Sequence, residues 1–227
     1  MKKLSSILLR FWNEDRSLTV MLLLLLFFVF ILVPWMSDGM RGEIFIKIVY
    51  SFILFTGILS VARQKKFVII VSILAIIGFF LNWLSEVYPT TPVLIANDLA
   101  IIFFNSFFAL VILIKTFQPG EITYHRIEGS IVVYLLAGLI FAYIFHAVYL
   151  FAGITSFNNI KGNLKEFLYF SFTSLTTMGY GDVTPVHPLA RSLANLEALI
   201  GQLYPAILIA RLVSMEIESS ARKRANK

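Results

Sequence analysis

The residues best suited to chemistry lie in one run, Thr176-Thr177-Met178-Gly179-Tyr180-Gly181-Asp182. An ion that enters a narrow pore must shed its water, and a ring of backbone carbonyls can replace that water if the carbonyls point inward. Aiming successive carbonyls along one axis needs backbone angles that side chains oppose and glycine permits. Gly179 and Gly181, spaced by two, suit that task, and Thr177 can add its hydroxyl oxygen as an innermost ligand. One chain carries one such run, whereas a coordination ring needs four, so a homotetramer with a four-fold axis is expected.

Other chemistries have little to stand on. The chain has no cysteine, which excludes disulfides, thiol chemistry and Cys-based metal sites. His125, His146 and His187 are scattered, without HExxH pairing. No inverted repeat relates the two halves, and only Glu197 and Asp98 qualify as intramembrane acids for coupled transport. An enzyme is not expected. The formal charge of +6 does not indicate nucleic acid, because Lys and Arg sit between apolar runs rather than in one block.

The elements that must position the run are membrane helices. Apolar residues make up 59% of the 227-residue chain and charged residues 14%, against about a quarter charged in a soluble domain. A spanning helix needs about 20 mostly apolar residues. The stretches 18–36, 44–61, 67–84, 93–117, 130–151 and 189–213 qualify. Arg10, Glu14, Asp15 and Arg16 argue against a signal peptide at the start. Of the Lys and Arg residues, Arg41, Lys47, Lys161, Lys165 and Arg191 fall outside when the N-terminus is inside, and all the others fall inside. The positive-inside rule then places both termini in the cytoplasm of a multi-pass cell-membrane protein. Between the last two spans, residues 164–176 form an apolar element reaching only roughly 20 Å as a helix, too short to cross. It reads as a re-entrant helix followed by non-helical backbone, which is tolerated at that depth only when protein buries it or it lines water.

The run 176–182, between two spans and after a short helix, resembles the signature of the potassium channel superfamily, with Val183-Thr184-Pro185 also fitting. The usual form has Val or Ile where this chain has Met178. The resemblance covers roughly residues 129–215. It implies an all-α membrane protein of six transmembrane helices plus a re-entrant pore helix and selectivity filter, assembled as a four-fold homotetramer. It implies K+ ions in the filter, held by the carbonyls of Thr177, Met178, Gly179 and Tyr180, with Gly181 completing the filter. Tyr180 would turn its ring away from the pore, and Asp182 would hydrogen-bond to the pore helix behind the filter mouth. The family's usual partners there are Trp or Glu; the matching positions are Tyr169 and Thr173. No organic cofactor is implied. A less selective monovalent cation channel, loosened at Met178, is the alternative.

Within the last span, Gly201 and Pro205 resemble a hinge, with close packing as the other reading of the glycine. Below them Ile209, Leu212 and Val213 suit a hydrophobic constriction that gates by dewetting. Glu197, one turn above Gly201, reads as a brace to pore-helix hydroxyls such as Ser174, with cation attraction or proton sensing as alternatives. Thr176 and Glu197 thus join Asp182, Tyr169 and Thr173 as filter support.

The fourth span carries a single base, Lys115, at its inner end. Four such charges crossing 100 mV would supply about 9 kcal/mol at most, whereas steep voltage gating needs tens. Asn97, Asp98 and Asn105 in that span read as interhelical hydrogen-bonding residues, a small ion or ligand site being the sharper reading. The expected organisation is an amphipathic interfacial helix at 1–17, a four-helix domain at 18–117, a linker at 118–128, a pore domain at 129–215 and a short basic tail at 216–227. The tail is too short for a ligand-binding domain, leaving gating to membrane lipid, tension, pH, or an unidentified regulatory subunit or ligand.

Overall fold

The computed structural model describes residues 14–35, 40–61, 65–118 and 123–225. The expected interfacial helix at 1–17 falls mostly on residues outside these, as do linker residues 119–122. Among the described residues, six helices are long and apolar enough to cross a membrane: Leu18–Trp35, Ile44–Val61, Phe67–Val87, Thr91–Thr116, Tyr124–Ala152 and Pro188–Ile217. The chain is therefore an all-α, multi-pass membrane protein, and the six spans agree with the apolar stretches to within a few residues at most ends.

The first compact unit ends at Val111, inside the fourth span. It contains α1 (Glu14–Leu26, continuing through a π-helical turn at Phe27–Leu32 and Val33–Trp35), α2 (Met40–Val61), α3 (Lys65–Val87) and most of α4 (Thr91–Thr116). In the π turn the Val33 N–H donates to the Phe28 carbonyl, five residues back. Pro34 follows at once; its ring would clash with a carbonyl in the preceding turn, and a wider turn relieves that clash. Large side chains set the packing. A Cβ on Gly57 of α2 would lie 2.9 Å from the Phe104 ring of α4, so α4 approaches α2 through that ring. The buried Asn105 amide donates to the Tyr50 hydroxyl at 3.0 Å, an interhelical bond of the expected kind. Lys47 of α2 pairs with Glu86 of α3 at 2.7 Å and donates to Ser85 at 3.2 Å.

The second unit starts at Ile112 and holds α5 (Tyr124–Ala152), α6 (Leu164–Leu175) and α7 (Pro188–Ala225). At 12 residues, α6 reaches about 18 Å and does not span. Its apolar face packs through edge-to-face rings on α5, with Phe145 and Phe170 centroids 4.9 Å apart, and on the segment after α5, with Phe157 and Phe167 5.4 Å apart. A short antiparallel ladder joins β1 (Phe157–Asn158) to β2 (Thr184–Pro185), pairing Phe157 with Pro185 and Asn158 with Thr184. It ties the segment after α5 to the segment that leaves the candidate filter.

Two helices run beyond the apolar stretches expected for them. α5 begins at Tyr124, within the stretch 118–128 expected as a linker. Extended Thr123 precedes that first turn, and its carbonyl accepts the Arg126 N–H at 3.0 Å. A polar turn can extend a helix beyond its apolar stretch, so hydropathy alone misplaces the start. At the other end, α7 continues through Pro205 and past Met215 to Ala225. Residues 216–225 are rich in good helix formers, so the expected tail is largely helix.

Candidate ion-conduction site

The last turn of α6 creates the site. The N–H of Thr177 donates to the Ser174 carbonyl at 2.9 Å, and the N–H groups of Met178 and Gly179 both donate to the Thr173 carbonyl, at 2.9 and 3.1 Å. Among the described residues all peptides are trans. In a trans peptide the carbonyl points opposite the next residue's N–H. The carbonyls of Thr176, Thr177 and Met178 are therefore turned away from α6. Thr177, Gly179 and Gly181 take φ of 57°, 57° and 76°. Glycine adopts this left-handed region readily, but a β-branched threonine adopts it only at a cost of order 1–3 kcal/mol, typical of functional segments. Residues 176–182 are all exposed on the single chain. Among the described residues no cluster of three His, Asp or Glu could hold a metal. Main-chain carbonyls and the Thr177 hydroxyl are among the exposed oxygens of this segment.

Behind the segment, the Tyr169 hydroxyl donates to the Asp182 carboxylate at 2.8 Å. That bond holds the Asp182 carboxyl below the usual carboxylate range and pushes the Tyr169 hydroxyl up. The Tyr180 ring lies parallel to the Tyr169 ring, centroids 6.5 Å apart and planes 6° apart. The Asn159 amide donates to the Asp182 carbonyl at 3.0 Å. Thr173 is not a second partner of Asp182: its hydroxyl donates to the Phe170 carbonyl at 2.9 Å, three residues back in its own helix. Short hydroxyl side chains satisfy themselves this way inside helices. Thr176 does likewise, donating to the Phe172 carbonyl at 2.6 Å.

The inner helix meets the pore helix along one stripe. Glu197 is fully buried, and its partner is Ser171 rather than Ser174, at 2.5 Å. A Cβ on Gly201 would lie 1.7 Å from the Leu175 carbonyl oxygen, so this position packs backbone against backbone. The same Leu175 carbonyl accepts the Tyr134 hydroxyl at 3.2 Å. Gly201 thus fits the close-packing reading, and Pro205 lies within one continuous helix. Tyr204 donates to the Ser130 carbonyl of α5 at 2.9 Å. With Glu197, Gly201 and Tyr204 turned toward α5 and α6, Leu199, Leu203, Ile207, Ile209 and Val213 are left exposed on other faces. Sequence reasoning missed Ser171, Gly138, Tyr134 and Asn159. None stands in a motif, and each acts on a partner at least 23 residues away.

The match to a protein family falls on this same unit. The ion channel family matches residues 130–218. Protein LctB of Geobacillus stearothermophilus is 38% identical over 68 residues, 30% of this chain and 50% of its own length. The inward rectifier potassium channel Kirbac3.1 of Paramagnetospirillum magnetotacticum is 36% identical over 33% of this chain and 24% of its own length. Two pore potassium channel c of Oryza sativa subsp. japonica is 32% identical over 34% of this chain and 19% of its own length. The chain thus spans half or less of each of these curated relatives. No solved structure matches it. The family match contains α6, the segment 176–182 and all but the C-terminal residues of α7, so this stretch is similar to the ion channel family, and the relatives of the chain include potassium channels.

Proposed function

We propose that the protein conducts K+ passively and selectively across the cell membrane as a homotetramer. The carbonyls of Thr177, Met178, Gly179 and Tyr180, with the Thr177 hydroxyl, replace the water of the passing ions. The observation that carries this reading is the set of bonds from the N–H groups of Thr177, Met178 and Gly179 into the end of α6, which turns the intervening carbonyls away from their own chain. Carbonyls aimed away from one chain need other chains to close a ring. The inner helix supports the same assembly: only 11% of its apolar span is buried by its own chain, against 61% for α5. Apolar residues left open on α7 would face neighbouring subunits or the pore. Ile209 and Val213, both exposed, supply its constriction.

The distribution of Lys and Arg supports cytoplasmic termini. Steep voltage gating is not part of the proposal, because α4 carries one base, Lys115 in its last turn. Met178, 57% exposed, and the loss of Thr173 as a partner of Asp182 favour a second reading, a less selective monovalent cation channel. Reversal potentials of the reconstituted protein in mixed K+ and Na+ separate the two. A strong preference for K+ is expected; a permeability ratio near one defeats the K+-selective reading.

A further inference from the structure

Ser171 is fully buried, and its hydroxyl oxygen has two close oxygen neighbours on two other helices. The Gly138 carbonyl of α5 lies 2.6 Å away, and the Glu197 carboxyl of α7 lies 2.5 Å away. A serine hydroxyl has one proton and donates once, and a backbone carbonyl only accepts. If Ser171 donates to Gly138, the proton between Ser171 and Glu197 must come from Glu197. If Ser171 donates to a carboxylate instead, it faces the Gly138 carbonyl with a lone pair at hydrogen-bond distance, and that carbonyl pushes it away. The two short contacts coexist without conflict only when the carboxyl is the donor.

The surroundings of Glu197 agree. Its second oxygen, Oε2, has no hydrogen-bond partner, although the residue is fully buried. Among the described residues no Lys, Arg or His forms an ion pair with it. From α5 its titratable neighbour is Tyr134, whose hydroxyl already donates to the Leu175 carbonyl. From α6 it meets the Ser171 hydroxyl. A buried carboxylate with neither cation nor donor at one oxygen is costly, whereas a neutral acid donating one bond is not.

We propose that Glu197 keeps its carboxyl proton and donates it to Ser171, which donates to Gly138, so that one directed proton chain joins α7, α6 and α5 and positions the filter. Glu197 is thus a positioning residue that acts as an acid, neither attracting cations nor carrying charge. The link to the filter rests on the conduction reading above; the location of the proton does not.

Infrared spectra of the full-length protein in lipid vesicles test it. Wild type at neutral pH is expected to show the carbonyl stretch of a protonated carboxylic acid, shifted in D2O and missing from Glu197→Gln. K+ flux from the same vesicles is expected to stay within about twofold in Glu197→Gln, whose amide still donates to Ser171, and to fall about tenfold in Glu197→Met, which cannot donate. Identical carboxyl spectra for wild type and Glu197→Gln would overturn the proposal. So would a loss of flux in Glu197→Gln as large as that in Glu197→Met. If Glu197→Met does not assemble, the infrared comparison of the other two proteins decides. A wild type that passes no K+ counts against the conduction reading alone, since the spectrum still locates the proton.

Discussion

Tyr169 and Asp182, 13 residues apart, are joined by one hydrogen bond of 2.8 Å from phenol to carboxylate. The bond fastens the exit of segment 176–182 to the flank of α6, and the Tyr180 ring lies on the same tyrosine. Replacing Tyr169 by Phe keeps the ring contact and removes the donor. Because the bond lowers the Asp182 pKa, its contribution is complete above the range in which a free aspartate titrates. It is lost as pH falls through the lower value of Asp182 itself. In Tyr169→Phe the loss on acidification should therefore begin at a higher pH than in wild type. K+ current recorded against external pH checks this; superimposed acid profiles would mean that the bond does not support conduction.

Gly201 has no room for a side chain. Alanine there would drive a methyl group into the Leu175 carbonyl, a backbone atom that cannot turn aside. Overpacking typically costs about 1–3 kcal/mol, and a backbone clash lies at the upper end. Gly201→Ala should lower both the thermal midpoint of the assembled protein in detergent and its K+ flux. A residue needed only for bending would leave the midpoint unchanged.

Gly138 makes a parallel case against a side chain. A Cβ there would lie 2.7 Å from the Phe172 ring tip. Gly138→Ala should destabilise less than Gly201→Ala, since a ring can tilt where a carbonyl cannot. Combining Gly138→Ala with Phe172→Leu should recover much of the loss, read from the same melting curves.

Tyr50 and Asn105 pin α2 to α4 inside the first unit. Tyr50→Phe removes the acceptor of the Asn105 amide in a fully buried setting and should cost about 1–3 kcal/mol of stability. Denaturant unfolding followed by tryptophan fluorescence measures it. With one base in α4, neither this variant nor wild type should show a steep sigmoidal conductance against voltage.

The spans, the short helix and the glycine spacing of segment 176–182 were legible in the sequence alone. Each depends on local quantities: the length of an apolar run, the 12 residues of α6 and glycine at alternate positions. Helix ends were less legible, as Tyr124 and Ala225 show, because a helix can run beyond its apolar residues on propensity alone. Partner choice was legible only up to a helix face. Ser171 and Ser174 lie three residues apart in α6, and Tyr169 and Thr173 lie four apart, so each pair shares one side of the helix. Composition and periodicity cannot separate such neighbours. The tertiary structure does, because the height at which α7 crosses α6 brings Glu197 to Ser171 and seats Gly201 on Leu175. That height is set by the packing of rings and glycines far apart in the chain.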